Sequence, residues 1–409
     1  MPTLEPAAGI PAEPLPNRGA EPLHAQLEAA GARLESPWGR ITVLEFGDVP
    51  AEHWALVGDV GLLDETDRAI VRVRGARAAY MLNRLVSNDL GPLDDARSVY
   101  AFLLTPKGRP VAEIRVVPVN REIWLDAPAA CARPLLDYLA KYLPPMYASV
   151  EFCEDYARLS LVGPRATAAV SRVLARPDWP WIPNTETGLE PLATRVASAT
   201  SVDADSAGAP AAGTAPRDTC AEDAPSPPLV LVTREPIEGP GYDFYLPADH
   251  LLDAWRVLGD VVSAEGGRPV GRRAVEAWRV ERGVPAYGAD IGLDNLPQET
   301  GQEERAISYT KGCYTGQEVV ARLHYRGHVN RLLRGLDYSE HSTAPPRPGD
   351  RVYFEGRAVG HVTTAALSPR FGPIALGYVR NSIAPEALVS AAPDAAACVR
   401  VVALPFTST

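Results

Sequence analysis

The chain alternates short apolar runs with Gly- and Pro-rich breaks, and the period of the runs changes along its length. Ile41-Thr-Val-Leu-Glu-Phe46 and Ala69-Ile-Val-Arg-Val-Arg-Gly75 have the two-residue period of strands. In the second run Val71 and Val73 share one face, and Arg72 and Arg74 the other. Residues 76–85 shift to helical spacing. Residues 99–104 and 111–117 predict a hairpin around Pro106-Lys-Gly-Arg109. A helix over 135–142 is stopped by Pro144-Pro145. The order then recurs, with a strand at 157–162, a helix at 165–174, strands at 229–232 and 242–246, and a helix at 251–258. Another helix is predicted over 272–282, followed by the turn-rich Gly283-Val-Pro-Ala-Tyr-Gly288. From Leu333 onward, short strands at 351–354, 359–366, 374–379 and 398–404 predict a small barrel-like β-module.

Two stretches break this pattern. Residues 1–37 are rich in Pro, Ala and Glu and read as a flexible tail with a short helix near 23–32. They carry no basic segment followed by an apolar one, so no signal peptide is expected. Residues 198–228 are dominated by Ala, Pro, Ser, Thr, Asp and Gly. They hold too little apolar surface to offset their ordering entropy and read as a disordered insertion containing Cys220.

Composition narrows the function classes. With 409 residues, 46% hydrophobic and 22% charged, the chain is neither collagen-like nor wholly disordered, and its length suits two to four domains. No apolar run approaches the ~18 residues of a spanning helix. Its five cysteines are odd in number and never in CxxC spacing, which suits a reducing cytoplasm and excludes a zinc framework. The net charge of −11 opposes nucleic-acid binding. Only residues 311–334 are locally basic, with Lys311, Arg322, Arg326, Arg331 and Arg334 against Glu318. Of 40 basic residues only Lys107, Lys141 and Lys311 are lysine, and two of these precede a Gly in motif-like text.

The most informative text is Lys311-Gly-Cys-Tyr-Thr-Gly-Gln-Glu-Val-Val-Ala-Arg322. Thr315 and Glu318 have capping-box spacing, so a helix should begin near Gly316 and run to Gly327. Cys313 then lies just before a helix N-terminus. The partial positive charge there, with Lys311 and Arg322, favours a thiolate. The ordinary alternative is a half-buried packing cysteine beside a solvated arginine face.

This string resembles the signature of YgfZ-type folate-binding proteins, a branch of the aminomethyltransferase (glycine-cleavage T-protein) superfamily. Gly61-Leu-Leu-Asp-Glu-Thr-Asp67, Ser87-Asn-Asp89, Leu104-Thr-Pro-Lys-Gly-Arg109, residues 271–288 and Leu296-Pro-Gln-Glu299 are similar to further landmarks of that superfamily, in order, over about residues 38–405. The resemblance implies an α+β, three-domain, ring-like body with a C-terminal small β-barrel and tetrahydrofolate in a central channel. It divides the chain into the tail 1–37, a discontinuous folate-binding domain (38–153 and 262–332), a second α+β domain (154–261) and the barrel (333–409). It further implies that Asp243 reads the pterin ring and that Arg279 and Tyr287 line the pocket. A carboxylate can accept paired N–H bonds from a pterin, and Arg and Tyr can bind its edges or stack on it.

In two places the text departs from T-proteins. Their catalytic acid falls where this chain has Ala112. Glu113 is adjacent, and strand alternation turns it to the opposite face. The T-protein counterpart of the 311–318 string also lacks a cysteine. The expected function is therefore a folate-binding accessory protein supporting iron–sulfur cluster assembly or repair, and through it tRNA modification. Cys313 would be the reactive group, and iron–sulfur or tRNA-modifying proteins the partners. The alternative is a tetrahydrofolate-dependent aminomethyltransferase or one-carbon demethylase. A third reading, direct RNA binding through residues 311–334, has the overall charge against it.

Overall fold

The computed structural model describes residues 19–91, 93, 98–119, 122–179, 230–234, 239–339 and 346–407. The α+β class implied by the resemblance is the one observed, and three sheets carry it. The first is antiparallel in the order β5 (Val99–Leu104), β6 (Pro110–Val119), β7 (Glu122–Ala127), β4 (Ala69–Arg74), β8 (Ser149–Phe152). The second runs β10 (Val230–Thr233), β11 (Gly241–Pro247), β9 (Tyr156–Val162), β3 (Gly61–Asp64), β12 (Arg268–Val270), with only the β3–β12 pair parallel. A two-stranded ribbon joins β1 (Arg33–Glu35) to β2 (Thr42–Glu45).

The third sheet follows the order β14 (Arg351–Phe354), β15 (Arg357–Ser368), β16 (Gly372–Arg380), β13 (Arg331–Asp337), β18 (Val399–Val402), β17 (Leu388–Val389). Its ends meet where Tyr353 and Ser390 exchange backbone bonds of 2.9 and 2.8 Å, giving a nearly closed six-stranded barrel. The Arg272–Arg282 helix seats this barrel on the body. Val280 joins Leu333, Ile374, Leu376 and Tyr378 in one buried cluster.

Strand alternation sorts side chains into two kinds of interior. On β6, Ala112, Ile114 and Val116 face the first sheet's own helices. On β9 and β11, Ala157, Leu159, Leu161, Phe244 and Leu246 face the helices of the second. The opposite faces of the two sheets turn toward each other. One half of that inner layer is aromatic and aliphatic, built from Ile70, Val117, Trp124, Tyr156 and Tyr245. The other half holds Glu113, Arg115, Asp126, Arg158, Ser160 and Asp243.

The architecture departs from the expected segmentation. Strands β3 and β12, assigned to the first domain, hydrogen-bond within the sheet of the second, because the apolar Gly61-Leu-Leu stretch pairs with β9. Residues 1–18 and the insertion at 198–228 lie outside the described residues. From residue 19 the expected tail is packed structure: the Glu21–Ala29 helix buries Leu23 and Leu27 in the core of the second sheet. At the 311–322 string the helix is Gln317–Arg326, close to its expected start, yet no capping box forms. Gly316 takes the cap position at φ +85°, where an added Cβ would lie 2.6 Å from the Thr105 carbonyl oxygen. The two lysine-containing motifs thus pack backbone to backbone. Gly316→Ala should lower stability by about 1–3 kcal/mol in urea denaturation. Gly312→Ala, with open space around its Cβ, should stay within about 0.5 kcal/mol of the parent.

Candidate functional site

Between the two inner sheets lies a cavity of about 70 Å³ lined by Glu65, Arg68, Tyr100, Glu113, Ile114, Arg115, Arg158 and Arg234. Its walls are charged because the polar faces of β6, β9 and β11 meet there. Arg158 on β9 is the centre. Its Nη1 donates to Asp126 Oδ2 at 2.5 Å, and its Nη2 lies 2.6 Å from Glu65 Oε2. Asp126 also accepts from Arg68 Nε and from the Tyr245 hydroxyl, both at 2.6 Å. Asp243 Oδ2 accepts from Arg115 Nη1 at 2.6 Å, while its Oδ1 accepts from Ser160 Oγ at 2.7 Å and Arg234 Nη1 at 3.0 Å. Arg234 reaches Glu65 as well, at 3.2 Å, and the Ser160 hydroxyl bonds Glu65.

Three carboxylates and four guanidiniums are therefore held away from bulk water, a state that persists only when each charge is paired and hydrogen-bonded. Burial by itself would raise the Glu65 carboxyl. Arg158, then Arg234 and Arg68, outweigh it and hold Glu65 well below the usual carboxylate range. Asp126 is likewise lowered, with Arg158 and Arg68 overcoming burial. On the far wall Glu113 accepts from the Tyr100 hydroxyl at 2.9 Å. Arg305 stacks over the Tyr100 ring, 3.7 Å from its centroid, and fixes the phenol.

None of the six residues singled out from the sequence lines this cavity directly. Asp243 comes nearest, fully buried one contact behind the wall with its oxygens engaged by arginines and Ser160. Arg279 is a clamp: it donates to Asp290 Oδ2 at 2.7 Å, the Val284 carbonyl at 2.9 Å and Thr364 Oγ1 at 3.0 Å, joining its helix to the following loop and to β15. Tyr287 donates its hydroxyl to the Val111 carbonyl at 2.5 Å, bracing β6 two residues before Glu113.

Lys311 does not serve Cys313 as expected. Its Nζ donates to the carbonyls of Asn83 (2.5 Å), Val86 (2.9 Å) and Asn88 (2.5 Å), so all three ammonium protons are engaged where the Ala78–Asn83 helix ends. Burial pulls its pKa down to about 8. The ammonium anchors the loop, and Cys313 is left exposed on it. Arg322 is exposed on the adjoining helix. Cys131 and Cys153 are buried, and burial pushes the Cys153 thiol up to about 12. Among the described residues no group of three or more His, Cys, Asp or Glu could hold a metal ion.

The family model for the GCVT N-terminal domain matches residues 23–190, and that for the glycine cleavage T-protein C-terminal barrel domain matches 331–407, together more than half of the chain. The chain belongs to the aminomethyltransferase superfamily. Aminomethyltransferases of Desulfitobacterium hafniense (26% identical, 88% of this chain and 89% of the relative) and Bordetella parapertussis (27%, 88% and 87%) are among its relatives. The crystal structure of the glycine cleavage system aminomethyltransferase T from Bartonella henselae shares the fold, with TM-score 0.70, 19% identity, and 94% and 97% of the two chains covered.

Within this superfamily fold, sequence reasoning missed most of the cavity. Glu65, Arg68, Arg115, Arg158 and Arg234 were scattered charges on predicted strands and turns. Glu113 was set aside because alternation turns it away from the Ala112 face. That alternation is observed: Ala112 is fully buried among helix-facing hydrocarbon. The cavity, however, lies on the Glu113 side. The usable signal was the opposed Glu-x-Arg of β6, Arg-x-Ser of β9 and Asp-x-Tyr of β11, three polar faces that must meet something.

The depressed Glu65 carboxyl sets an acid limit. A carboxylate lowered in the folded state contributes stability fully present above its ordinary value of 4.5 and lost as pH falls through its folded value. Glu65→Gln should therefore be less stable than the parent in urea at pH 7, and the gap should narrow as pH falls below 4.5 toward the lowered folded value.

Proposed function

We propose that this protein binds a reduced folate in the cavity between its inner sheets and serves one-carbon transfer of the aminomethyltransferase kind, with Glu113 as its proton-handling carboxylate. The observation that carries this reading is Glu113 on the cavity wall, oriented by the Tyr100 hydroxyl at 2.9 Å. Relatives named aminomethyltransferase cover nearly the whole chain and support the same class.

The residues fit tetrahydrofolate in kind. Glu65 offers acceptors for pterin N–H groups, the arginines offer forks for carboxylates, and Tyr100 offers ring surface. Bound there, the folate would supply a secondary amine able to carry a one-carbon unit. Glu113 would take or return the proton while Tyr100 keeps it aimed, and the paired arginines would exclude water. Glu113→Gln should lower aminomethyl or methyl transfer to tetrahydrofolate about 100-fold or more, with folate affinity in calorimetry changed little. Equal turnover by the variant would remove Glu113 from the chemistry.

A second reading is favoured by Cys313. It is the one exposed cysteine among the described residues, on a loop pinned by Lys311 and Gly316. This supports the YgfZ-type role in iron–sulfur cluster maintenance, with folate as bound cofactor and cluster-dependent tRNA-modifying enzymes as beneficiaries. With no metal-holding group beside it among the described residues, Cys313 would share a cluster or disulfide with a partner protein. A Cys313→Ala strain should lose activity of cluster-dependent enzymes under oxidative stress and keep folate binding. Normal activity of those enzymes would discard this role.

A further inference from the structure

The cavity is well under the ~300 Å³ of an ordinary small-molecule pocket, so a side chain must withdraw before a ring system enters. Of its four arginines, Arg68 and Arg158 converge on Asp126, and Arg115 lies on β6 in the interior of the first sheet. Arg234 differs. It follows β10, an edge strand paired only with β11, and its guanidinium enters from the sheet margin. Its stem passes over Gly241, where an added Cβ would come within 3.0 Å of Arg234 Cδ. Its Nη1 bridges Asp243 Oδ1 (3.0 Å) and Glu65 Oε2 (3.2 Å), both longer than the shortest bonds of Arg158 (2.5 Å to Asp126) and Arg115 (2.6 Å to Asp243). Its Nε is buried with no hydrogen-bond partner among the described residues, a donor left unsatisfied.

We infer that Arg234 is a displaceable plug whose guanidinium stands in for the amidine-like edge of a 2-amino-4-oxopyrimidine ring, and that such a ligand binds by expelling it from Asp243 and Glu65. The inference rests on the folate reading and adds a resident competitor to it. Arg234 Nη1 gives one N–H to Asp243 Oδ1 and one to Glu65 Oε2, and an aminopyrimidinone edge likewise offers two coplanar N–H donors, so the ring can take the oxygens the guanidinium leaves. Removing Arg158 would take a partner from Asp126, Glu65 and Asp243 at once. Withdrawing Arg234 leaves Asp243 held by Arg115 and Glu65 held by Arg158, with the single Ser160 hydroxyl proton shared between the two acids, so the pocket can open without collapsing.

The test is calorimetric titration of the full chain with 5-formyltetrahydrofolate, and with p-aminobenzoylglutamate as the probe lacking the pterin ring. Arg234→Gln and Arg234→Met should bind the reduced folate at least tenfold more tightly than the parent, with the ring-less probe unchanged. Arg234→Lys, which keeps the charge and loses the fork, should fall between and guards against misfolding of the neutral variants. Equal or weaker binding of 5-formyltetrahydrofolate by all three variants, with the parent binding it, would overturn the plug and leave the folate reading standing. Binding by neither parent nor variants would overturn both.

Discussion

The pairing of Arg158 with Asp126 and Glu65 lies where the two inner sheets close on each other, and the rest of the body is arranged around it. Each sheet buries one face under its own helices by ordinary hydrophobic packing. The other faces carry ionised groups that water would otherwise solvate. They can be brought together only in an arrangement that gives every carboxylate its donors, and removing one partner from such a cluster costs about 3–5 kcal/mol. That requirement sets how β9 and β11 lie over β6 and β7. The aromatic half of the layer, with Trp124 against Tyr156 and Tyr245, then packs dry beside the charged half. The cavity is the place where this charged half does not fill its space.

The barrel is joined to the body by the same chemistry at a second locus. Asp290 accepts from Arg279 on one side and from Thr363 and Thr364 of β15 on the other, while Tyr378 donates to its carbonyl. Glu281 takes His53 from the body, and Ser368 and Arg370 from the barrel. The Arg272–Arg282 helix thus carries two buried charges, Arg279 and Glu281, that both bond the barrel along one seam. In this light Arg279, a pocket residue by family resemblance, holds the barrel in place, and Tyr287 braces the strand that presents Glu113.

The 311–322 string shows how a motif can be legible while its physics is not. Its glycines, lysine and helix start stand out in the text, and the helix begins close to where spacing put it. Yet Lys311 reaches back more than 220 residues in sequence to three carbonyls at the end of an unrelated helix, and a glycine, not Thr315, takes the cap position. What the string builds is a fixed platform that leaves one thiol in solvent. Nearest neighbours in sequence do not supply the partners of Lys311, which come from tertiary folding.

Local periodicity marked many of the strands and helices and the terminal β-module, because apolar repeat and turn chemistry act over a few residues, but it left β3, β7, β8 and the Val49–Gly58 helix unmarked. It determined as well that β6, β9 and β11 each have a polar face. Whether those faces meet water or one another is not a local property. Only the tertiary structure decided that they oppose, that Glu113 faces the cavity while Ala112 faces hydrocarbon, and that β3 and β12 complete the second sheet. The reason is that a charge is tolerated in the interior only beside its counter-charge, and those counter-charges come from segments up to 169 residues apart.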